Sequence, residues 1–110
     1  MKNLNPKKIV KKIQNNKNKA IFLDRDGVIN KHNGYIIDYK DFYFLEGVHK
    51  AIKFANQKNY LVIIITNQSA IGRSFMKEKK LYEIHNKMKI NLKKSHAYID
   101  DIFFSPYYSY

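Results

Sequence analysis

The sequence predicts an α/β protein built on a parallel sheet, and three observations carry that prediction. Apolar runs at 20–23, 61–65 and 102–104 are separated by stretches of helical spacing, in the order strand, loop, helix, strand, helix, strand. The middle run, Leu61-Val62-Ile63-Ile64-Ile65, is apolar at every position and mostly β-branched, as a strand covered on both faces should be. Polar clusters follow the first two runs directly, and an open parallel sheet binds its ligands beyond the carboxyl ends of its strands.

Each element has its own signal. Residues 1–19 form a basic leader with seven lysines and no acid; it reads either as a frayed helix after Pro6 or as a solvated tail. Residues 20–110 hold the domain. Ala20-Ile21-Phe22-Leu23 is a short continuous apolar run that reads as a buried strand. Asn30 to Leu45 is polar and aromatic, with Asn33-Gly34 as a turn signal. Gly47 to Lys58 places Val48, Ala51, Ile52 and Ala55 at helical spacing. Phe75 to about Lys94 predicts a second helix, whose stripe is Leu81, Ile84, His85, Met88 and Leu92. Ile102-Phe103-Phe104 closes the order as a third strand.

The chain has 110 residues, enough for one small domain and too few for two. Its hydrophobic content of 45% excludes a wholly disordered chain. No apolar run approaches the roughly 18 residues of a membrane span, and the lysine-rich start has no apolar stretch for a signal peptide. With no cysteine there is neither a disulfide framework nor a thiolate metal site, which fits a cytoplasmic location. The formal net charge is +12, and residues 1–19 contribute +7 of it. Such a charge suits nucleic acid or another anionic partner, yet no aromatic-basic interleaving or base-reading motif accompanies it. Lys, Asn and Ile make up 46 of the 110 residues, a bias that an AT-rich coding sequence also produces. Nucleic acid is therefore not the partner the sequence favours, and no membrane association is expected.

Asp24-Arg25-Asp26-Gly27 follows the first strand, and Thr66-Asn67-Gln68-Ser69 follows the second, 42 residues later. If the strands are neighbours, the clusters share one crevice. Two carboxylates one residue apart suit phosphoryl transfer: one attacks phosphorus, and the other protonates the leaving oxygen and later activates water. A carboxylate repels a phosphate, so a cation is required, and Mg²⁺ prefers oxygen ligands. Gly27 allows a sharp turn, and a Thr hydroxyl with backbone N–H groups at a strand-to-helix junction can hold phosphate oxygens. Asp-x-Asp-Gly alone is equally compatible with a surface turn. Its placement after an apolar strand, with a strand-Thr-Asn downstream, makes the chemical reading the stronger one.

The segment Phe22-Leu23-Asp24-Arg25-Asp26-Gly27-Val28-Ile29-Asn30 resembles the first motif of haloacid-dehalogenase-like phosphatases. Its Arg and its Gly-Val-Ile-Asn tail point to the branch that holds the D,D-heptose 1,7-bisphosphate 7-phosphatases and the histidinol-phosphatases. Ile65-Thr66-Asn67-Gln68-Ser69-Ala70-Ile71-Gly72-Arg73 resembles the second motif, with Ala70 where Gly is usual, and Phe44-Leu45-Glu46-Gly47-Val48 resembles the lead into the first helix. The likeness runs from about residue 20 to 106. It implies a three-layer Rossmann-like fold with strand order 3-2-1 in the half present here. It implies Asp24 as nucleophile and Mg²⁺ ligand, and Asp26 as general acid/base with its backbone carbonyl on the metal. It implies Thr66 and Asn67 as ligands of the transferring phosphoryl group. Arg73 is either a substrate contact or a solvated helix-entry residue, and Arg25 receives no role. The implied substrate is a phosphorylated sugar, in lipopolysaccharide-core synthesis.

Between the two motifs only about 15 residues, around Lys31–Leu45, lie outside the predicted helix, too few for a large cap domain. Tyr35, Tyr39, Phe42 and Tyr43 could line a short loop there, with packing onto the domain the commoner fate of such residues. Two further family motifs, a Lys after the third strand and an acidic residue after a fourth, have no counterpart. Lys93-Lys94 lie on the helix before the third strand, and Asp100-Asp101 precede that strand, which places them at the opposite end of the sheet. Where many relatives carry a Cys-Pro-His-His zinc loop, this chain has Ser105-Pro106-Tyr107-Tyr108, so no zinc is expected. His32, His49, His85 and His96 are scattered, and His85 reads as a core or boundary residue.

These departures predict a truncated or split phosphatase of impaired activity whose first strand is an exposed apolar edge, open to self-association or to a complementing C-terminal half. Histidinol-phosphatase is the nearest alternative, against which Ser69–Arg73 weighs. A polynucleotide 3′-phosphatase-like domain would use the positive charge, but its first motif usually has Thr where Val28 stands. An inactive remnant or a binding module is the non-enzyme alternative.

Overall fold

The computed structural model describes residues 19–107. The basic leader up to Asn18, and Tyr108, lie outside the described residues. The elements follow the predicted order: β1 (Lys19–Leu23), α1 (Val48–Gln57), β2 (Tyr60–Asn67), a one-turn α2 (Ser69–Gly72), α3 (Glu78–Lys93) and β3 (Asp101–Ser105).

The sheet is parallel, in the order β1-β2-β3. Leu23 sits opposite Ile64, and Thr66 opposite Phe104, so the ends of β1 and β2 are adjacent. Both crossovers step in the same direction along the sheet, and right-handed connections then place α1 and α3 on one face. Side chains alternate along each strand. On the helix-covered face Val62, Ile64, Ile102 and Phe104 join Ile52 of α1 and Leu81, Ile84, Met88 and Leu92 of α3 in one core. On the other face Leu61, Ile63 and Phe103 form a small separate cluster with Ala20.

Two expectations of burial need correction. The first strand does not read as buried: Ile21 is 37% and Phe22 56% exposed. The middle strand is not covered throughout, because Ile65 is 41% exposed. The cause is topological. Among the described residues β1 has a partner on one side only, and the face carrying Phe22 and Ile65 lacks a helix layer.

Local chemistry sets the boundaries. Gly47, the N-cap of α1, has φ 87°, a left-handed conformation that costs glycine little. The second helix begins three residues later than its apolar pattern suggests. Arg73 to Lys77 instead form a connection in which Phe75 N–H bonds the Ala70 carbonyl at 2.8 Å and Ser74 has φ 63°. The segment between β1 and α1 folds back on itself: Lys31 N–H bonds the Tyr43 carbonyl at 2.9 Å, and Leu45 N–H bonds the Ile29 carbonyl at 2.9 Å. Ile36 and Phe42 are buried there, Tyr39 stacks on Phe42 at 5.5 Å, and Tyr35 and Tyr43 are exposed. The segment packs down as a short loop and forms no cap domain.

Candidate active site

Asp24 is the first residue beyond β1, and Thr66 and Asn67 end β2. The strand pairing therefore brings both polar clusters to one end of the sheet. Between the acids the chain turns tightly. The Arg25 carbonyl accepts from Val28, Ile29 and Asn30 N–H at 3.1, 2.7 and 3.2 Å, while Gly27 at φ 85° closes the turn with its N–H on the Asn30 carbonyl at 2.8 Å. This turn leaves the Asp24 side chain exposed and draws that of Asp26 inward to 19% exposure.

The Asp26 carboxylate is held from three directions. Its Oδ1 accepts from Arg25 Nε at 3.0 Å, Arg25 Nη2 at 2.7 Å and Asn30 Nδ2 at 3.0 Å. Its Oδ2 accepts from Gln68 Nε2 at 3.1 Å. The same Gln68 nitrogen donates to Thr66 Oγ1 at 2.9 Å, so one amide ties the carboxylate to the threonine. That bond uses Thr66 as an acceptor and leaves its hydroxyl proton to be donated elsewhere. Asp24 Oδ1 accepts from Arg25 N–H at 3.0 Å. Asn67 is exposed beside Thr66, which is buried. Arg73 is exposed as the C-cap of α2.

Arg25 lies beneath this surface with no exposure at all. Burial pulls its pKa down and the adjacent Asp26 pulls it up; a guanidinium stays charged in either case. Its Nη1 lies 3.1 Å from His85 Nε2. The guanidinium has only donors, so Nε2 is the unprotonated nitrogen of the ring. Burial first, and the Arg25 charge second, push the His85 pKa down to about 3, which keeps the imidazole neutral. The Asn30 amide oxygen is buried without a partner among the described residues, and its nitrogen is taken by Asp26 and by the Lys31 carbonyl at 3.0 Å.

Whether these residues suit Mg²⁺ follows from their donors. Among the described residues no group of three or more His, Asp or Glu side chains assembles. Mg²⁺ is commonly held by one or two carboxylates together with water and substrate phosphate. Asp24 is exposed and has a second carboxylate oxygen to offer, whereas the Asp26 carboxylate is occupied by four hydrogen bonds. The site thus fits the ion through the Asp24 side chain. Asp100 and Asp101 take no part, since Asp100 Oδ2 accepts from Val62 N–H at 2.8 Å, far back along β2.

Sequence reasoning missed the buried layer. Gln68 was legible as part of the polar cluster, but its bridging role depends on the register of β1 against β2. The pairing of Arg25 with His85, sixty positions apart, has no sequence signal beyond an Arg between two acids and a His on an apolar stripe.

A parallel sheet with an Asp-Arg-Asp turn after β1, set against Thr-Asn at the end of the neighbouring β2, is the architecture of the haloacid-dehalogenase-like fold. The solved D,D-heptose 1,7-bisphosphate phosphatase from B. bronchiseptica, complexed with magnesium and phosphate, superimposes with a TM-score of 0.79 at 33% identity, over 82% of this chain and 51% of that one. The chain belongs to the family described as Polynucleotide kinase 3 phosphatase, whose profile it matches over residues 17–105. Among curated relatives, the D-glycero-beta-D-manno-heptose-1,7-bisphosphate 7-phosphatase of Haemophilus ducreyi is 40% identical over 82% of this chain. The D-glycero-alpha-D-manno-heptose-1,7-bisphosphate 7-phosphatase of Burkholderia mallei is also 40% identical over 82%. The chain spans about half the length of these relatives, 50% and 48% respectively.

Proposed function

We propose that this chain carries the nucleophile-bearing part of a Mg²⁺-dependent phosphatase acting on a sugar bisphosphate, of the D-glycero-D-manno-heptose 1,7-bisphosphate 7-phosphatase type. The observation that carries this reading is the Asp26–Gln68–Thr66 bridge, which joins the acid/base to the phosphate-binding strand end in one rigid unit. Relatives of equal identity are named for the α and the β anomer, so the proposal is to the substrate class.

In the proposed reaction Asp24 attacks phosphorus, a new Asp–O–P bond forms, and the bond from phosphorus to the sugar oxygen breaks. The leaving oxygen takes its proton from the Asp26 carboxyl at Oδ2, the oxygen with a single hydrogen-bond partner. Asp26 then takes a proton from water, which attacks the aspartyl-phosphate; phosphate departs and Asp24 is restored. Thr66 and Asn67 hold the phosphoryl oxygens, and Arg73 reaches the remainder of the substrate. The Asp24 carboxylate and the Asp26 carbonyl would hold Mg²⁺, which would offset the repulsion between carboxylate and phosphate.

The free edge of β1 belongs to the same proposal. The strand bearing the nucleophile pairs on one side only among the described residues, beside an apolar groove of ≈200 Å³ lined by Ile21, Ala51, Phe54, Ala55, Lys58 and Tyr60. Full activity belongs to the fold in which a further strand covers that edge, whether it lies on a longer polypeptide or on a separate one.

A second reading, polynucleotide 3′-phosphatase, draws on the family description and on the +12 charge. Phosphate release from heptose 1,7-bisphosphate, histidinol phosphate and a 3′-phosphorylated oligonucleotide separates the readings. The expected order places the heptose first; preference for the oligonucleotide, with steep salt sensitivity, overturns it.

A further inference from the structure

We infer that His85, on α3, is a positioning residue for the proposed phosphatase site, acting through Arg25 on the Asp26 carboxylate. The inference rests on that functional reading for its purpose and on separate geometry for its substance.

Arg25 is fully buried and its three nitrogens are all engaged. Nε and Nη2 grip Asp26 Oδ1 at 3.0 and 2.7 Å, and Nη1 is 3.1 Å from His85 Nε2. The Phe42 ring lies 5.7 Å from the guanidinium carbon and adds a cation–π wall. A planar guanidinium gripped at one edge by a single carboxylate oxygen can still swing about that contact. An acceptor at the opposite edge removes this freedom. His85 supplies the acceptor from α3, packed at 4% exposure between Ile84 and Met88 of the core stripe. With Arg25 fixed and Asn30 adding its N–H, Oδ1 is fully committed. Oδ2 becomes the only carboxylate oxygen with capacity to exchange a proton, and Gln68 sets its distance to Thr66. A helix residue sixty positions away in sequence thereby selects which oxygen of the acid/base works.

The test is NMR on the full chain, unmodified and with His85→Leu or His85→Gln. In the unmodified chain the ¹⁵N shifts of His85 at neutral pH should report an unprotonated Nε2, and the Arg25 Nε–H should exchange slowly. His85→Leu keeps the bulk without the acceptor, and should speed Arg25 Nε–H exchange about tenfold or more, the loss of one hydrogen bond to a charged group. It should also shift and broaden the Asp26 carboxyl ¹³C resonance. His85→Gln restores an acceptor and should return both signals toward the unmodified ones. An Nε2 that carries the proton in the unmodified chain overturns the proposal without any variant, even if His85→Leu fails to fold. An Asp26 resonance identical in all three proteins also overturns it. None of these signals depends on hydrolysis. A chain that shows the coupling yet never yields a phosphatase, even when its sheet is completed, contradicts the functional reading alone.

Discussion

Burying a guanidinium is costly unless each of its edges finds a partner, and Arg25, the bulkiest fully buried side chain among the described residues, meets that condition between Asp26, His85 and Phe42. Removing it leaves a partly buried carboxylate with Asn30 and Gln68 alone. We expect Arg25→Met to lower the unfolding free energy by about 3 kcal/mol, read from the urea midpoint. His85 gives a pH signature. Its folded pKa of about 3 lies below the value near 6.5 of an unfolded histidine, so the unfolded chain binds the extra proton in the window between them. Stability from this group is intact above about pH 6.5 and falls as pH drops through the window, with a slope approaching about 1.4 kcal/mol per pH unit. Urea unfolding between pH 6.5 and 5, above the carboxylate range, should show this loss in the unmodified chain and not in His85→Gln. At this scale the sequence displayed Asp24, Asp26, Thr66 and Asn67 because their spacing follows strand ends. It concealed Arg25 and His85 because their meeting is a property of α3 packing across the loop.

Helix and strand placement obeyed hydrophobic period closely, since Val48, Ile52, Leu81, Ile84, Met88 and Leu92 all face the core. The discrepancies lie where neighbours decide. Phe22 and Ile65 have strand-core side chains but no layer above them among the described residues, a matter of neighbouring elements that no local pattern contains. The start of α3 slipped because Phe75 and Met76 continue the apolar pattern, while Lys77, in an extended conformation (φ −90°, ψ 153°), is the residue at the N-cap. Lysine has no side-chain acceptor, and no side-chain cap bond forms there. Replacing Lys77 with Thr or Asp should stabilise the chain by about 1 kcal/mol in chemical denaturation. At Gly47 the opposite holds. A Cβ would meet nothing within 4 Å, yet the left-handed φ of 87° penalises any side chain, so Gly47→Ala should cost about 1 kcal/mol.

Across the whole molecule, the sheet presents its chemistry at a border. β1 leads directly into Asp24, the proposed nucleophile, and is one of the two border strands of the sheet among the described residues. Exposed Ile21, Phe22, Phe54 and Tyr60 make that border apolar. An open apolar edge invites pairing with another strand. Sedimentation of the chain at rising concentration should therefore show association, which Phe22→Lys reduces by placing a charge on the edge strand. Among the described residues no helix is long and apolar enough to cross a membrane, and a family of phosphatases accounts for the motifs without one. Of the net charge of +12, half comes from the lysines of residues 1–18, outside the described residues, so the sheet edge says more about the chain's chemistry than its charge does.

Phosphate release from heptose 1,7-bisphosphate with Mg²⁺ is the decisive measurement for the role of Asp24 and of the open sheet edge. The chain alone is compared with the chain joined to the second half of the Haemophilus ducreyi relative, each with and without Asp24→Asn. Completion should raise turnover by at least about 10²–10³-fold, the worth of a single electrostatic group in a site, and Asp24→Asn should abolish the gain. Equal turnover by the chain alone, or a completed protein indifferent to Asp24, would contradict these roles.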